Sequence, residues 1–161
     1  QIADELQAEF EERLESEGYL DVTVTSEVLT ATEEYFTLKL LCYESQASGY
    51  QWNYYYTVDL TTGQRMALRE LFVEEADYIT PISENIKDQM QAQMDADENV
   101  CYWLNEEMDE YNFSSITDET SFYVNETGNV VIAFNEGDVA PGYMGAVEFE
   151  IPEEVLESIR R

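Results

Sequence analysis

The sequence predicts an α+β fold: an antiparallel sheet with an N-terminal helix, central helices and a C-terminal helix, in one domain over residues 1–161. Three observations predict it. Apolar residues recur at helical spacing near the start, the middle and the end of the chain. Two intervening blocks alternate apolar and polar residues with period two. Short turns rich in Gly, Asn, Thr and Ser separate the strands within each block, which favours hairpins and an antiparallel sheet over alternating βαβ units.

The elements follow in order. Residues 2–17 carry Ile2, Leu6, Phe10 and Leu14 at every fourth position, one apolar stripe on a helix that Gly18 stops. "YLDVTVTSEVLTAT" then sets Leu20, Val22 and Val24 against polar neighbours, and "EYFTLKLLCYES" repeats the pattern with Phe36, Leu38 and Leu40. "QASG" marks a turn into "YQWNYYYTVDL", a strand with Tyr50, Trp52, Tyr54 and Tyr56 on one face, and "TTGQR" ends it. That aromatic face is either a half-buried sheet surface or a platform for carbohydrate.

From "MALRELF" to about Tyr111 the pattern is helical. Asp77 or Thr80 suits a cap, Pro81 the first turn, and Ile82, Ile86, Met90 and Met94 one packed face. "DADEN" breaks it before a second helical segment, "VCYWLNEEMDEY". "TSFYVNETGNVVIAFNE" reads as a hairpin about Asn125–Asn129, followed by a loop and the strand "GAVEFEI". Pro152 opens a last helix with Val155 and Ile159 facing inward.

Composition narrows the function. A 44% hydrophobic and 13% aromatic content supports a packed core and excludes a disordered acidic tail. No apolar run approaches the roughly 18 residues of a membrane helix. The chain opens on Gln1, as expected of a piece of a longer protein. Its 36 acidic residues against 7 basic ones give a net charge of −29, and no Lys or Arg occurs between Lys87 and Arg160. Such a field repels nucleic acid phosphates and steers cationic partners inward.

Catalytic patterns are missing. The chain has no histidine, so triads and His-assisted nucleophiles are excluded. No GxSxG elbow, GxGxxG fingerprint or GxxxxGK[ST] loop occurs, so no enzyme activity and no cofactor are expected. Cys42 and Cys101 form no CxxC and cannot complete a zinc site; they are two thiols or one disulfide. Asp95, Asp97, Asn99 and Glu106 fall at EF-hand positions, but Val100 stands where the sharp turn needs glycine. That stretch reads as a solvated helix junction, and no metal is expected.

Two segments carry a family resemblance. "YYYTVDLTTGQRMALRELFVEEADYITPISENIKDQM" has a strand ending at a D-L-x-T-G turn, a short L-x-x-L-F and a helix. "FYVNETGNVVIAFNEGDVAPGYMGAVEFEIPEEVL" has an F-Y-V strand, a glycine hairpin and a V-A-P-x-x-x-G loop before F-x-I-P. Over about residues 20–160 the chain resembles the extracytoplasmic domain of RsiV-type anti-sigma factors, a domain also found as an accessory to bacterial cell-wall polysaccharide deacetylases. Asp138 departs from the glutamate expected there, and residues 95–119 lack a clear counterpart.

The resemblance implies a non-enzymatic sensor outside the membrane. It would bind lysozyme, a cationic protein, and so license release of a sigma factor. Membrane and sigma factor would be reached only through an anchor and a cytoplasmic segment missing from this chain. The accessory domain of a deacetylase implies glycan binding instead. The loop "EGDVAPGYMGAVEFEIP" offers Asp138, Pro141, Gly142, Tyr143 and Met144 for partner contact, and "SQASGY" adds Ser48 and Tyr50. Pro141 fixes one backbone angle and the glycines permit turns, so Tyr143 and Met144 would stand on a preorganised tip.

Overall fold

Three consecutive 11-residue strands rich in β-branched and aromatic residues build the larger sheet: β1 (Asp21–Ala31), β2 (Tyr35–Ser45) and β3 (Gly49–Asp59). The structure, a computed structural model, describes Glu11 and residues 21–45, 49–104 and 112–161. β2 and β3 pair antiparallel from Tyr35↔Asp59 to Ser45↔Gly49, and the short β4 (Gln64–Arg65) completes the order β1-β2-β3-β4. The β3–β4 turn is held by Asp59, whose Oδ1 accepts the Thr61 N–H at 2.7 Å and the Thr61 hydroxyl at 2.6 Å. These donors hold the Asp59 carboxyl below its usual pKa, the Thr61 hydroxyl most strongly.

A second antiparallel sheet contains β5 (Phe122–Val124), β6 (Val130–Phe134) and β7 (Val147–Ile151) in the order β5-β6-β7. The expected hairpin is there: Asn125 Oδ1 accepts the Thr127 and Asn129 N–H groups at 3.1 and 2.9 Å. β6 is central and buried from Val130 to Ala133, so both of its faces are covered.

One face of the small sheet packs on the long helix α1 (Ile79–Ala96). Ile82, Ile86 and Met90 are fully buried, with Met94 at the margin, so the stripe expected from the sequence is the packed one. Asp77 Oδ1 accepts the Thr80 N–H at 3.1 Å at the helix start. Ile82, Ile86 and Met90 join Phe122, Val124, Val130, Ile132, Phe149 and Ile151 in the main core. The other face meets the large sheet, giving three layers: helix, small sheet, large sheet.

The expected single sheet is therefore two, because β5–β7 pair only with one another and meet the large sheet through side chains. That seam is polar. The Thr30 hydroxyl donates to the Val124 carbonyl at 2.6 Å, and Thr37 and Thr57 share a hydrogen bond of 3.1 Å. Glu148 of β7 accepts from Tyr55 at 2.9 Å and Tyr123 at 3.0 Å, with Lys39 Nζ at 3.4 Å. The Tyr55 and Tyr123 rings stack at 5.8 Å. Burial, then Glu148, raises the pKa of both phenols.

The inner strand face thus carries Thr37, Asn53, Tyr55 and Thr57. Val24 and Val28, on the opposite face, are exposed. The apolar alternation of the first two strands marked the face turned away from the small sheet, because hydrogen bonding lets threonine, asparagine and tyrosine fill the buried face.

The helical expectations need three corrections. "MALRELF" forms only a 3-10 turn over Leu68–Leu71, with Glu70 Oε2 accepting the Ala67 N–H at 2.7 Å. Val100–Leu104 is not helical, because its backbone bonds elsewhere: Trp103 N–H donates to Val139, and Trp103 carbonyl accepts from Phe113 at 2.7 Å. The C-terminal helix is a single turn, α2 (Glu153–Leu156), with Leu156 fully buried and Val155 and Ile159 only partly so. Residues 105–111 of the second central helix, and the N-terminal helix apart from Glu11, lie outside the described residues.

Candidate functional site

The loop between β6 and β7 begins with a turn tied down at both ends. Asn135 N–H donates to Asp138 Oδ2 at 2.7 Å, and Asp138 N–H returns to the Asn135 carbonyl at 3.1 Å. The Asn135 side chain reaches across to the large sheet, where its Oδ1 accepts the Asn53 N–H at 2.7 Å. Val139 and Ala140 then enter the core at 4% and 2% exposure, and the Val139 carbonyl accepts the Trp103 N–H at 2.9 Å. An apolar pair buried just before Pro141 fixes where the following turn emerges.

That turn is a 3-10 segment, Gly142–Met144. Met144 N–H bonds to the Pro141 carbonyl and Gly145 N–H to that of Gly142. Gly145 closes it at φ 65° and ψ −158°, a conformation essentially reserved for glycine. At Gly142 a Cβ would lie 3.1 Å from Glu136 Oε1, a tight contact that the glutamate side chain would have to shift to relieve. Met144 packs inward on the core. Tyr143 points out, 71% exposed, more than any other large apolar or aromatic residue among those described. Its hydroxyl donates to the Asn99 carbonyl at 3.2 Å, so the ring is held while its surface stays open.

The fold brings Tyr50 to the same region. Its pKa is raised by burial first and then by the negative charges of Asp138 and Glu136, which places both carboxylates near the phenol. The Tyr50 ring stacks on Trp52 at 5.7 Å and remains 45% exposed. Tyr50, Asp138 and the turn carrying Pro141, Gly142, Tyr143 and Met144 therefore share one end of the molecule. Ser48 lies outside the described residues. Asp138 acts structurally here, capping the turn through Oδ2.

Sequence reasoning missed Asn53, Asn135 and Asn99, which position the loop without forming its tip. Asn53 is the one with a visible signal: a residue poor in β propensity within a run of aromatics. Among the described residues no group of three or more Cys, Asp or Glu could hold a metal ion. Asp97 Oδ1 accepts from the backbone and side-chain nitrogens of Asn99 at 2.9 and 2.8 Å, so it closes the turn after α1. Cys42 and Cys101 are both free thiols, and burial raises the pKa of Cys42.

The fold is a helix-backed pair of antiparallel sheets, an α+β domain. The chain belongs to the family described as "Protein of unknown function (DUF3298)", whose pattern matches residues 69–154, from the Leu68–Leu71 turn through β7 and into α2. It is 39% identical over 142 residues to the anti-sigma-V factor RsiV of Bacillus subtilis, so the RsiV-type resemblance of the two segments holds across the chain. The match takes in 88% of this chain and 49% of that protein, so the chain spans about half the length of the relative.

Solved structures share the fold. A DUF3298 family member from Bacteroides fragilis superposes with a TM-score of 0.70 at 19% identity, over 98% of this chain and 63% of its own. A Pseudomonas aeruginosa member gives 0.67 at 15% identity, over 96% and 69%. Among the described residues no helix is long and apolar enough to cross a membrane.

Proposed function

We propose that this chain is the extracytoplasmic ligand-binding domain of an anti-sigma factor, with no catalytic activity of its own, and that it binds a cationic protein of the lysozyme kind to trigger sigma-factor release. The observation that carries the reading is Tyr143: a rigid aromatic, 71% exposed, on a turn fixed by Pro141, Gly145 and the buried Val139–Ala140 pair. An anchor ordered before binding loses little conformational entropy on contact. Tyr50, Ser48, Pro141, Gly142 and Asp138 complete the contact surface in this reading, with Met144 seated beneath the turn.

The charge of −29 supports a cationic partner, since it accelerates encounter while the loop confers specificity. Similarity to RsiV supports the anti-sigma assignment. Sigma factor and membrane would be reached through segments outside this chain. The test is calorimetric titration with hen lysozyme at 0.15 M salt, beside a cationic protein of unrelated shape such as cytochrome c. Saturable one-to-one binding of lysozyme alone supports the proposal; equal responses to both proteins refute it. The stacked Tyr50–Trp52 pair favours one second reading, glycan binding, which titration with chitin oligosaccharides tests.

A further inference from the structure

β1 is an edge of the large sheet: it pairs with β2 on one side, and among the described residues no strand pairs with the other. Its ladder runs in unbroken register from Asp21↔Ser45 to Val28↔Leu38, and the register shift falls beyond that, between Val28 and Thr30. Every residue from Thr23 to Val28 is exposed, so both faces of the strand are open along with its edge. Such an edge presents a row of N–H and C=O groups to any chain that can pair with them, and proteins blunt it with lysine, proline, short length or a bulge. The strand "DVTVTSEVLTA" has no lysine, arginine, proline or glycine, and its bulge guards one end alone.

The two faces of β1 differ in character. Val24 and Val28, 47% and 54% exposed, lie on the side of their β2 partners Cys42 and Leu38. Glu27 lies on the other side, directly opposite Lys39. That lysine is committed to the seam between the sheets: its Nζ sits 3.4 Å from Glu148 Oε1 and 5.3 Å from the centre of the Tyr55 ring. Glu27 is left without an ion pair among the described residues. A second copy of the chain would bring another charge of −29 to this edge, and its β1 holds no cation to offer Glu27.

We infer that the free edge of β1 docks an extended segment of a cationic protein, which joins the large sheet as a further strand. Its apolar residues lie beside Val24 and Val28, and a basic residue lies beside Glu27. Main-chain hydrogen bonds supply the affinity of strand addition, and alternate side chains supply its specificity. The apolar side chains remove the two valines from water, and the basic one completes the cross-strand pair that Lys39 does not make. The field of the whole chain draws the same kind of partner. This edge shares no residue with the contact surface around Tyr143, so the two are tested apart.

The test is an NMR titration of the 15N-labelled chain at 0.15 M salt with end-capped Lys-Val-Lys-Val-Lys-Val-Lys, beside the scrambled Lys-Lys-Val-Val-Val-Lys-Lys of equal charge. The alternating peptide should give saturable shifts along Val22–Val28. At saturation it should slow exchange of the β1 amides that point away from β2 about tenfold, since a bonded N–H exchanges only when the ladder opens. The scrambled peptide should do neither. Glu27→Lys should weaken the alternating peptide about fivefold, the effect of one lost cross-strand pair. The inference is overturned if no saturable shifts centre on β1, if the scrambled peptide protects the same amides equally, or if Glu27→Lys leaves the affinity unchanged. Protection of those amides in the free chain, with a dimer in sedimentation, would assign the edge to a second copy and overturn it as well.

Discussion

Replacing Glu148 by alanine tests what joins the two sheets. Glu148 accepts from Tyr55 at 2.9 Å, Tyr123 at 3.0 Å and Lys39 at 3.4 Å. Tyr55 is 8% exposed, so without its acceptor the hydroxyl is left inside the seam unpaired, costing about 1–3 kcal/mol. The Lys39–Glu148 pair has side chains 15% and 34% exposed and contributes about 0.2–1 kcal/mol. Tyr123 can turn to water and adds little. Glu148→Ala should therefore destabilise by about 1–4 kcal/mol. In a Tyr55→Phe background no hydroxyl is orphaned, and the same change should cost only about 1 kcal/mol. Urea unfolding of the four proteins at pH 7 gives the coupling energy. Costs that add to within about 0.5 kcal/mol would show that the Tyr55–Glu148 bond does not bind the sheets together.

Other outcomes follow from the same geometry. Phe149→Ala, which empties a 1% exposed site beside Tyr102 and Phe134, should cost about 3–5 kcal/mol in urea unfolding. The Tyr78 hydroxyl is pushed up to about 12 by burial and by Asp118, so the folded state keeps a proton that the unfolded chain loses near pH 10. Its contribution is complete below about pH 10 and fades as pH rises toward about 12; urea midpoints from pH 9 upward should fall less steeply in Tyr78→Phe. Gly145→Ala forces a side chain into φ 65°, ψ −158° and should cost about 1–3 kcal/mol or loosen the turn, read as faster amide exchange at Met144. Differential scanning calorimetry should give one transition, because seam contacts such as Thr30–Val124 and Asn53–Asn135 tie the large sheet to the helix-backed core.

Local signals were legible where local physics decides the outcome. Ile82, Ile86 and Met90 announce a helix face because only helical spacing aligns them, and Asn125 with Gly128 announces a hairpin through its own side-chain bonds. The burial of the large sheet was not legible. The face that meets the small sheet carries Thr37, Asn53, Tyr55 and Thr57, residues whose partners lie elsewhere in the chain, so period-two hydrophobicity marked only the opposite face, where Cys42 is buried. Val100–Leu104 looked helical for the same reason: nothing in "VCYWL" reveals that Trp103 will bond to Val139 and Phe113.

The loop was legible in its tip and not in its support. Pro141, Gly145 and Tyr143 are unusual enough in sequence to stand out, while Asn53, Asn135 and Asn99 acquire their roles only when distant strands meet. Tyr50 came to the site from a strand about 90 residues away, through pairing that no local pattern encodes.

The central claim is that Tyr143 is a specific anchor and the acidic surface only a steering field. Surface plasmon resonance with immobilised lysozyme, at two ionic strengths and with wild type beside Tyr143→Ala, separates the two. Rim charge acts mainly on association and a buried aromatic mainly on dissociation. Tyr143→Ala should speed dissociation by about 1–3 kcal/mol of free energy at either salt concentration, with association little changed. Higher salt should slow association of both proteins as the −29 field is screened. Binding of wild type at low salt alone, with dissociation unaffected by Tyr143→Ala, would reduce the interaction to charge attraction and contradict the account.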